Sequence, residues 1–440
     1  MIRRLPTLIV LLALGLPALG AAQPRLSLAD AIARARTQNL DARSAASAER
    51  GAEQRITQAR AGYLPKVDLF DSWQRGDQPV FVFSSLLAQR QFTAANFAID
   101  ALNNPDAVDN FRAGLMVEQS IYNPVTSANV RAAEIGHVMA GAARVRVDQD
   151  LSVAVTDAYG QVLVAVASKQ AATAAVDAAR ADRQVAGDRR DAGLVTDADV
   201  LQLDVHVARM REQQIRADAD ETIARARLNQ VIGEALDAQF TLELAPEAAA
   251  MAAGDVGVLE AEALENRADV KIATLNEQLA GAARDAAHAA FLPQVSAQGG
   301  WEANGGAWNS RASSWVVGAV ARINLFQGFG DRARVAEAQE QMTRRALERE
   351  KTETSARLDV RIARARLDAA RASEAVGRAA ADQARESRRI IRDRYEGGLT
   401  DVASLLRSAE AVQQAETRQI AAQVDVVLAA AALQRALGKP

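Results

Sequence analysis

The chain carries one pattern twice, in the same order. TQNLDARSAASAERGAEQRITQARAGYLPKVDLFDSW from Thr37 aligns without gaps on ENRADVKIATLNEQLAGAARDAAHAAFLPQVSAQGGW from Glu265. At this offset of 228, Leu64-Pro65 falls on Leu292-Pro293 and Trp73 on Trp301. FRAGLMVEQSIYNP (Phe111 to Pro124) pairs with WVVGAVARINLFQG (Trp315 to Gly328) at an offset of 204, and GLVTDADVL from Gly193 with GLTDVASLL from Gly398 at 205. A tandem duplication follows, and the drop in offset places about 24 extra residues in the first half, within Gly76 to Asn110.

Each half alternates between two hydrophobic periods. Helical spacing runs from Leu28 and from Leu259 up to each Leu-Pro, where Pro ends the helix because it lacks an N–H and crowds the preceding turn. The period then becomes two. Val67, Leu69, Asp71 and Trp73 oppose Lys66, Asp68 and Ser72, and their counterparts are Val295, Ala297, Gly299 and Trp301. In the returning stretches, Phe111, Ala113, Leu115, Val117 and Ile121 share one face. Trp315, Val317, Ala319, Ala321, Ile323 and Leu325 do the same. The spacing predicts strands at about 66–75, 111–122, 294–303 and 314–326, each near the ~10 residues that a tilted strand needs to cross a bilayer.

Very long helices follow the strands. No Pro occurs from Asp331 to Tyr395, where Leu358, Ile362, Ala365, Ala369, Ala372 and Val376 recur at spacings of four and three. Such a run would be roughly 100 Å long. The first half has an equivalent run from Val125 to about Arg190. A Gly-Leu turn and a return helix then complete a hairpin in each half, with a seam that fits a coiled coil or a bundle core. The composition agrees: 49% hydrophobic residues but only 4% aromatic suits thin, Ala-tolerant seams better than a thick globular core.

Residues 1–22, MIRRLPTLIVLLALGLPALGAA, read as a signal peptide cleaved after Ala22, an uncleaved anchor being the other reading. The repeats then occupy 23–236, with a tip at 193–197, and 256–440, with a tip at 398–401; residues 237–255 link them. No stretch after residue 22 offers ~20 consecutive apolar residues, so no spanning helix is expected in the mature chain. Four strands are too few to close a ring, and an open sheet edge is not tolerated in hydrocarbon. Strands that span a membrane would therefore have to be pooled between copies of the chain.

Several chemistries are disfavoured. Without Cys there is no disulfide framework, thiolate metal site or cysteine nucleophile. The 52 basic and 55 acidic residues are interspersed, which indicates no nucleic-acid face. Gly328, Gly330 and Ala333 match a dinucleotide fingerprint, but the helix after them is several times too long for a crossover unit. His137, His206 and His288 are isolated within helical patterns. No enzyme activity, cofactor or metal is expected.

The order of helix, Leu-Pro, two strands, long helix, Gly-Leu turn and return helix, given twice after a signal peptide, resembles the TolC-like outer-membrane efflux protein family. LSLADAIARARTQNLD (Leu26 to Asp41) is similar to that family's first-helix pattern, and ENRADV (Glu265 to Val270) to the start of its second half. The resemblance covers nearly all of the mature chain. It implies a mainly α fold with transmembrane β: long helical hairpins forming a periplasmic α-barrel, and four strands per subunit in a shared 12-stranded barrel of a homotrimer. It also implies an exit duct in the outer membrane, in contact with its lipid and served by a periplasmic adaptor and an inner-membrane pump of the RND or ABC type. The alternative is a periplasmic coiled-coil scaffold or adaptor that never enters a membrane.

By the same resemblance, Gly193, Leu194 and Thr196, with Gly398, Leu399 and Thr400, would be the tips that meet the adaptor. Gly at these positions also suits the left-handed end of a helix. Asp199 and Tyr395 fall where the family latches its closed tip, although Thr196 to Asp199 reads equally as a capping box. The family's acidic lumenal constriction falls here on Ser404 and Arg407, and Thr400 stands where it has an Arg. A weaker latch is implied, and Arg407 would make such a constriction positive.

Overall fold

The computed structural model describes residues 24–243 and 254–439; the expected signal peptide and part of the expected linker lie outside the described residues. In chain order the elements are β1 (Arg25–Leu26), α1 (Leu28–Gln38), α2 (Leu40–Arg60), β2 (Lys66–Gly76), α3 (Pro79–Ala88), α4 (Ile99–Asn103), β3 (Val108–Tyr122), α5 (Pro124–Asp191) and α6 (Asp197–Ile232). They continue with β4 (Thr241–Leu242), α7 (Val256–Asn266), α8 (Ala268–Ala289), β5 (Gln294–Ala307), β6 (Ser310–Arg322), α9 (Gly330–Glu396) and α10 (Val402–Ala436). The first long helix, α5, has 68 residues and its counterpart α9 has 67. Both are Ala-rich and carry no Pro beyond the first residue of α5, and ion pairs one turn apart, such as Arg349 to Glu353 and Arg364 to Asp368, add small increments along α9.

The described residues divide into two compact units, one formed by 24–39, 154–243 and 369–428, the other by 40–153, 254–368 and 429–439. In the first unit β1 and β4 form a short parallel pair. Tyr159 is buried beside it and donates its hydroxyl to the carbonyls of Leu26 and Glu243, at 2.8 and 2.6 Å. Burial pushes that phenol up to about 12, so it remains a donor throughout the physiological range.

The second unit holds one antiparallel sheet in the order β2-β3-β5-β6, a hairpin from each half of the chain. Its register keeps the two faces distinct. Leu69 lies opposite Leu115, Leu115 opposite Trp301, and Trp301 opposite Trp315 on the apolar face. Arg112 donates to Glu302 at 2.8 Å on the polar face. Gly114 leaves room there for the ring of Phe70, which a Cβ would meet at 2.5 Å. The apolar face stands open: Leu69 is 80% and Trp315 77% exposed. So do the outer edges of β2 and β6, which have no strand beside them within the described residues.

The strands differ from their expected bounds at one end of the sheet. The expected strand 314–326 is found at 310–322, because Gln294 pairs with Arg322 and its predecessor Pro293 offers no ladder donor beyond it. Ile323 and Leu325 continue the alternation in sequence but have no partner strand among the described residues. At the opposite end β5 and β6 run up to a tight turn at Trp308 and Asn309, so both are longer there than expected.

Two further features repeat. The helix read as continuous from Leu28 breaks at Asn39, and its counterpart breaks at Arg267, both with extended ψ. Against each break sits a left-handed glycine that ends the return helix region: Gly233 (φ 81°) beside the backbone of Gln38, and Gly438 (φ 75°) beside that of Asn266. A β-carbon would meet those backbones at 2.7 and 2.6 Å, so only Gly fits. Within α5 one 18-residue window reaches a mean hydropathy of 1.4, enough by length and composition to cross a membrane. Half of that window is buried in the protein, as expected of a helix seam.

Candidate gate at the helical tips

Two hairpin turns close the ends of α5/α6 and α9/α10 with the same geometry. Gly193 (φ 73°) and Gly398 (φ 71°) are both left-handed. The amide of Leu194 donates to the carbonyl of Arg189, and that of Leu399 to Arg394, each at 2.8 Å, which satisfies carbonyls the helix end leaves free. The leucines project outward and are mostly exposed. Thr196 caps α6, while Asp401 caps α10 by accepting from the amide of Ser404 at 2.8 Å. Thr400 is partly buried within its turn.

Behind the turns the four helices meet in one apolar cluster of Ala186, Val200, Leu203, Tyr395, Val402 and Leu405. Tyr395 is only 2% exposed and its hydroxyl has no hydrogen-bond partner among the described residues. The Arg189 guanidinium lies over its ring, 5.0 Å from the centroid, and also donates to the Tyr395 carbonyl. Burial raises the phenol above its ordinary value. The structure does not join Tyr395 to Asp199: that carboxylate accepts from the amide and hydroxyl of Thr196, at 2.9 and 2.8 Å, in the capping-box arrangement. On α10, Arg407 donates to Ser404 at 3.0 Å; Arg407 is exposed and Ser404 half-buried.

One group escaped the sequence reading. Asp182 of α5 is buried, with Arg388 and Arg392 of α9 at 3.3 and 3.8 Å. Burial outweighs both guanidiniums and holds its proton more tightly than in an ordinary aspartate. Buried His206 of α6 faces the same cluster, its Nδ1 without a partner among the described residues, and is pushed down by burial and by Arg209. His206, Met210 and Arg388 help to line a cavity of ≈ 230 Å³ between these helices. A signal was present: Val176, Ala179 and Ala186 mark a seam, and Asp182 interrupts it at seam spacing.

The other candidates fall elsewhere. His137 lies in α5 and His288 in α8, far from each other in the chain. Gly328 precedes α9 and Gly330 begins it, but every pairing in the sheet of β2, β3, β5 and β6 is antiparallel, so the parallel crossover that a dinucleotide fingerprint needs is not formed there.

Comparison with known proteins agrees with this geometry. The chain is 28% identical over 322 residues to Protein CyaE of Bordetella pertussis, covering 71% of this chain and 67% of that protein. It shares its fold with a membrane protein from Pseudomonas aeruginosa, at TM-score 0.78 and 21% identity over 93% of this chain and 92% of that one. The outer membrane protein VceC from Vibrio cholerae superposes at TM-score 0.75 and 19% identity, over 94% and 96%. Residues 31–234 and 259–439 match the model of the outer membrane efflux protein family. This match spans both halves of the chain and leaves a soluble coiled-coil scaffold without support: the chain belongs to the outer membrane efflux protein family and is an exit duct of the outer membrane.

Proposed function

We propose that three copies of the chain pool their four-stranded sheets into one twelve-stranded barrel, through which substrates leave after an inner-membrane pump and a periplasmic adaptor have delivered them. One observation carries the reading: a sheet with an apolar face open to its surroundings and two edges unpaired among the described residues, which in hydrocarbon must be closed by copies of itself. The duct performs no chemistry of its own and serves a tripartite efflux or type I secretion system.

The helical tips form the gate. Arg189 on Tyr395, and Asp182 between Arg388 and Arg392, hold the hairpins together, while Asp199 fixes the start of α6 as a cap. Leu194 and Leu399, exposed on turns made by Gly193 to Thr196 and Gly398 to Thr400, supply the apolar knobs for the adaptor. Ser404 and Arg407 line the constriction. The test is fractionation of cells followed by native mass measurement and planar-bilayer recording. Outer-membrane trimers that conduct support the reading, and a soluble periplasmic monomer overturns it. Arg407→Glu should move ion selectivity toward cations; unchanged selectivity would remove Arg407 from the lumen.

A further inference from the structure

The extra segment of the first half, between β2 and β3, folds as a small apolar unit. Its helix α3 turns Val82, Ser85 and the following Gln89 inward, all three buried. Gln89 donates to the Asp109 carbonyl at 2.8 Å and to the Asn110 side chain at 3.1 Å, and Asn110 donates to Asn304 at 3.0 Å. Arg90 reaches across to the Ser313 carbonyl at 2.9 Å. This chain of buried amides fixes the segment on a definite side of the sheet. Asn304 is in register with Arg112, and Asn110 is two residues from it, so the amides lie on the polar face, away from the side that meets lipid.

The segment nevertheless exposes apolar side chains. Val80 and Leu87 are two helical turns apart on α3 and both project outward; Phe97, held edge-on against Phe92 at 5.1 Å, and Ile99 are also exposed. Val80 and Ile99 are 76% and 78% exposed. A water-filled mouth does not stabilise such a patch, and the patch has no cover among the described residues of its own chain. The second half has only the turn at Trp308 and Asn309 in the corresponding place, so the segment occurs once per chain. It starts at edge strand β2 and reaches edge strand β6, the two edges that copies of the chain must share.

We infer that Val80, Leu87, Phe97 and Ile99 pack against the same residues of neighbouring copies, forming an apolar collar on the lumenal side of the barrel's outer mouth, a second constriction that restricts passage by excluding water. The inference rests on the shared-barrel reading above.

The chain lacks Cys, so single cysteines report cleanly. Gln298→Cys places one on the polar face, and intact cells carrying it are treated with a membrane-impermeant PEG-maleimide. Labelling should be at least several-fold faster when Val80, Leu87, Phe97 and Ile99 are all changed to Ser. Equal rates in assembled trimers overturn the collar. Ile99→Cys, in an otherwise unaltered chain, should form disulfide-linked dimers on oxidation; trimers that stay unlinked also overturn it. If no trimer is present in either experiment, the barrel reading itself has failed.

Discussion

At the tips, buried His206 is a group through which the bundle can answer to acid. His206 is buried without a partner for Nδ1, and burial with Arg209 and Arg388 nearby disfavours its charged form, while Glu410 and Asp182 favour it. The first influence dominates, so its folded-state value lies below 6.5. As pH falls through 6.5 the unfolded chain takes up this proton before the folded chain does; stability present above that value is lost on the way down to the folded value. Asp182 acts in the opposite sense, because its raised value favours the folded state below 3.8 and that contribution disappears as pH rises. Acidification below 6.5 should therefore lower the melting temperature, and His206→Gln should flatten that part of the profile. An identical slope in both proteins would show that His206 does not carry the effect. The pairing of Asp182 was hidden from sequence because Arg388 lies 206 residues away, whereas the cap at Thr196 and Asp199 is local and was legible.

Among the elements, glycine separates two kinds of constraint. Gly193 is left-handed with open space around it, whereas Gly233 is left-handed and would drive a β-carbon into the Gln38 backbone at 2.7 Å. Gly193→Ala should therefore cost about 1 kcal/mol, the conformational penalty alone. Gly233→Ala should cost at least about 2 kcal/mol, since the backbone it strikes cannot rotate away as a side chain does. Chemical denaturation followed by helix content measures both, and equal losses would mean that the Asn39 break relaxes freely. The hairpins and strands were readable because period and Pro placement agree across the duplication. The break at Asn39 was not, because Asn39 is held from outside its own helix, its side chain donating to the Val231 carbonyl at 2.8 Å. The apolar run PVFVFSSLLA was equally opaque: at 10 residues its composition suits a strand or a buried helix, and the amide bonds that seat it, Gln89 to Asn110 and Asn110 to Asn304, join residues far apart in sequence.

For the whole molecule, the decisive question is which solvent each face of the sheet meets. Adjacent residues of edge strand β6 answer it separately, because Val317 lies on the apolar face and Gly318 on the polar one. A β-carbon at Gly318 would meet nothing within 4 Å, so a larger side chain fits there. If the apolar face meets hydrocarbon, Val317→Lys places an ammonium near the middle of a spanning strand at a cost of about 2–4 kcal/mol per copy, repeated at every copy around the ring. Gly318→Lys adds the same charge to the water-filled side, where it stays hydrated. The first variant should fail to accumulate as outer-membrane oligomers. The second should assemble normally and conduct with a shift toward anions, because lumenal charge tunes selectivity without burdening insertion. Quantifying heat-resistant oligomers in outer-membrane fractions and recording reversal potentials in a salt gradient distinguishes the two. Equal assembly of both variants would mean that the sheet's faces do not divide lipid from water, and the pore would have to be sought elsewhere in the chain.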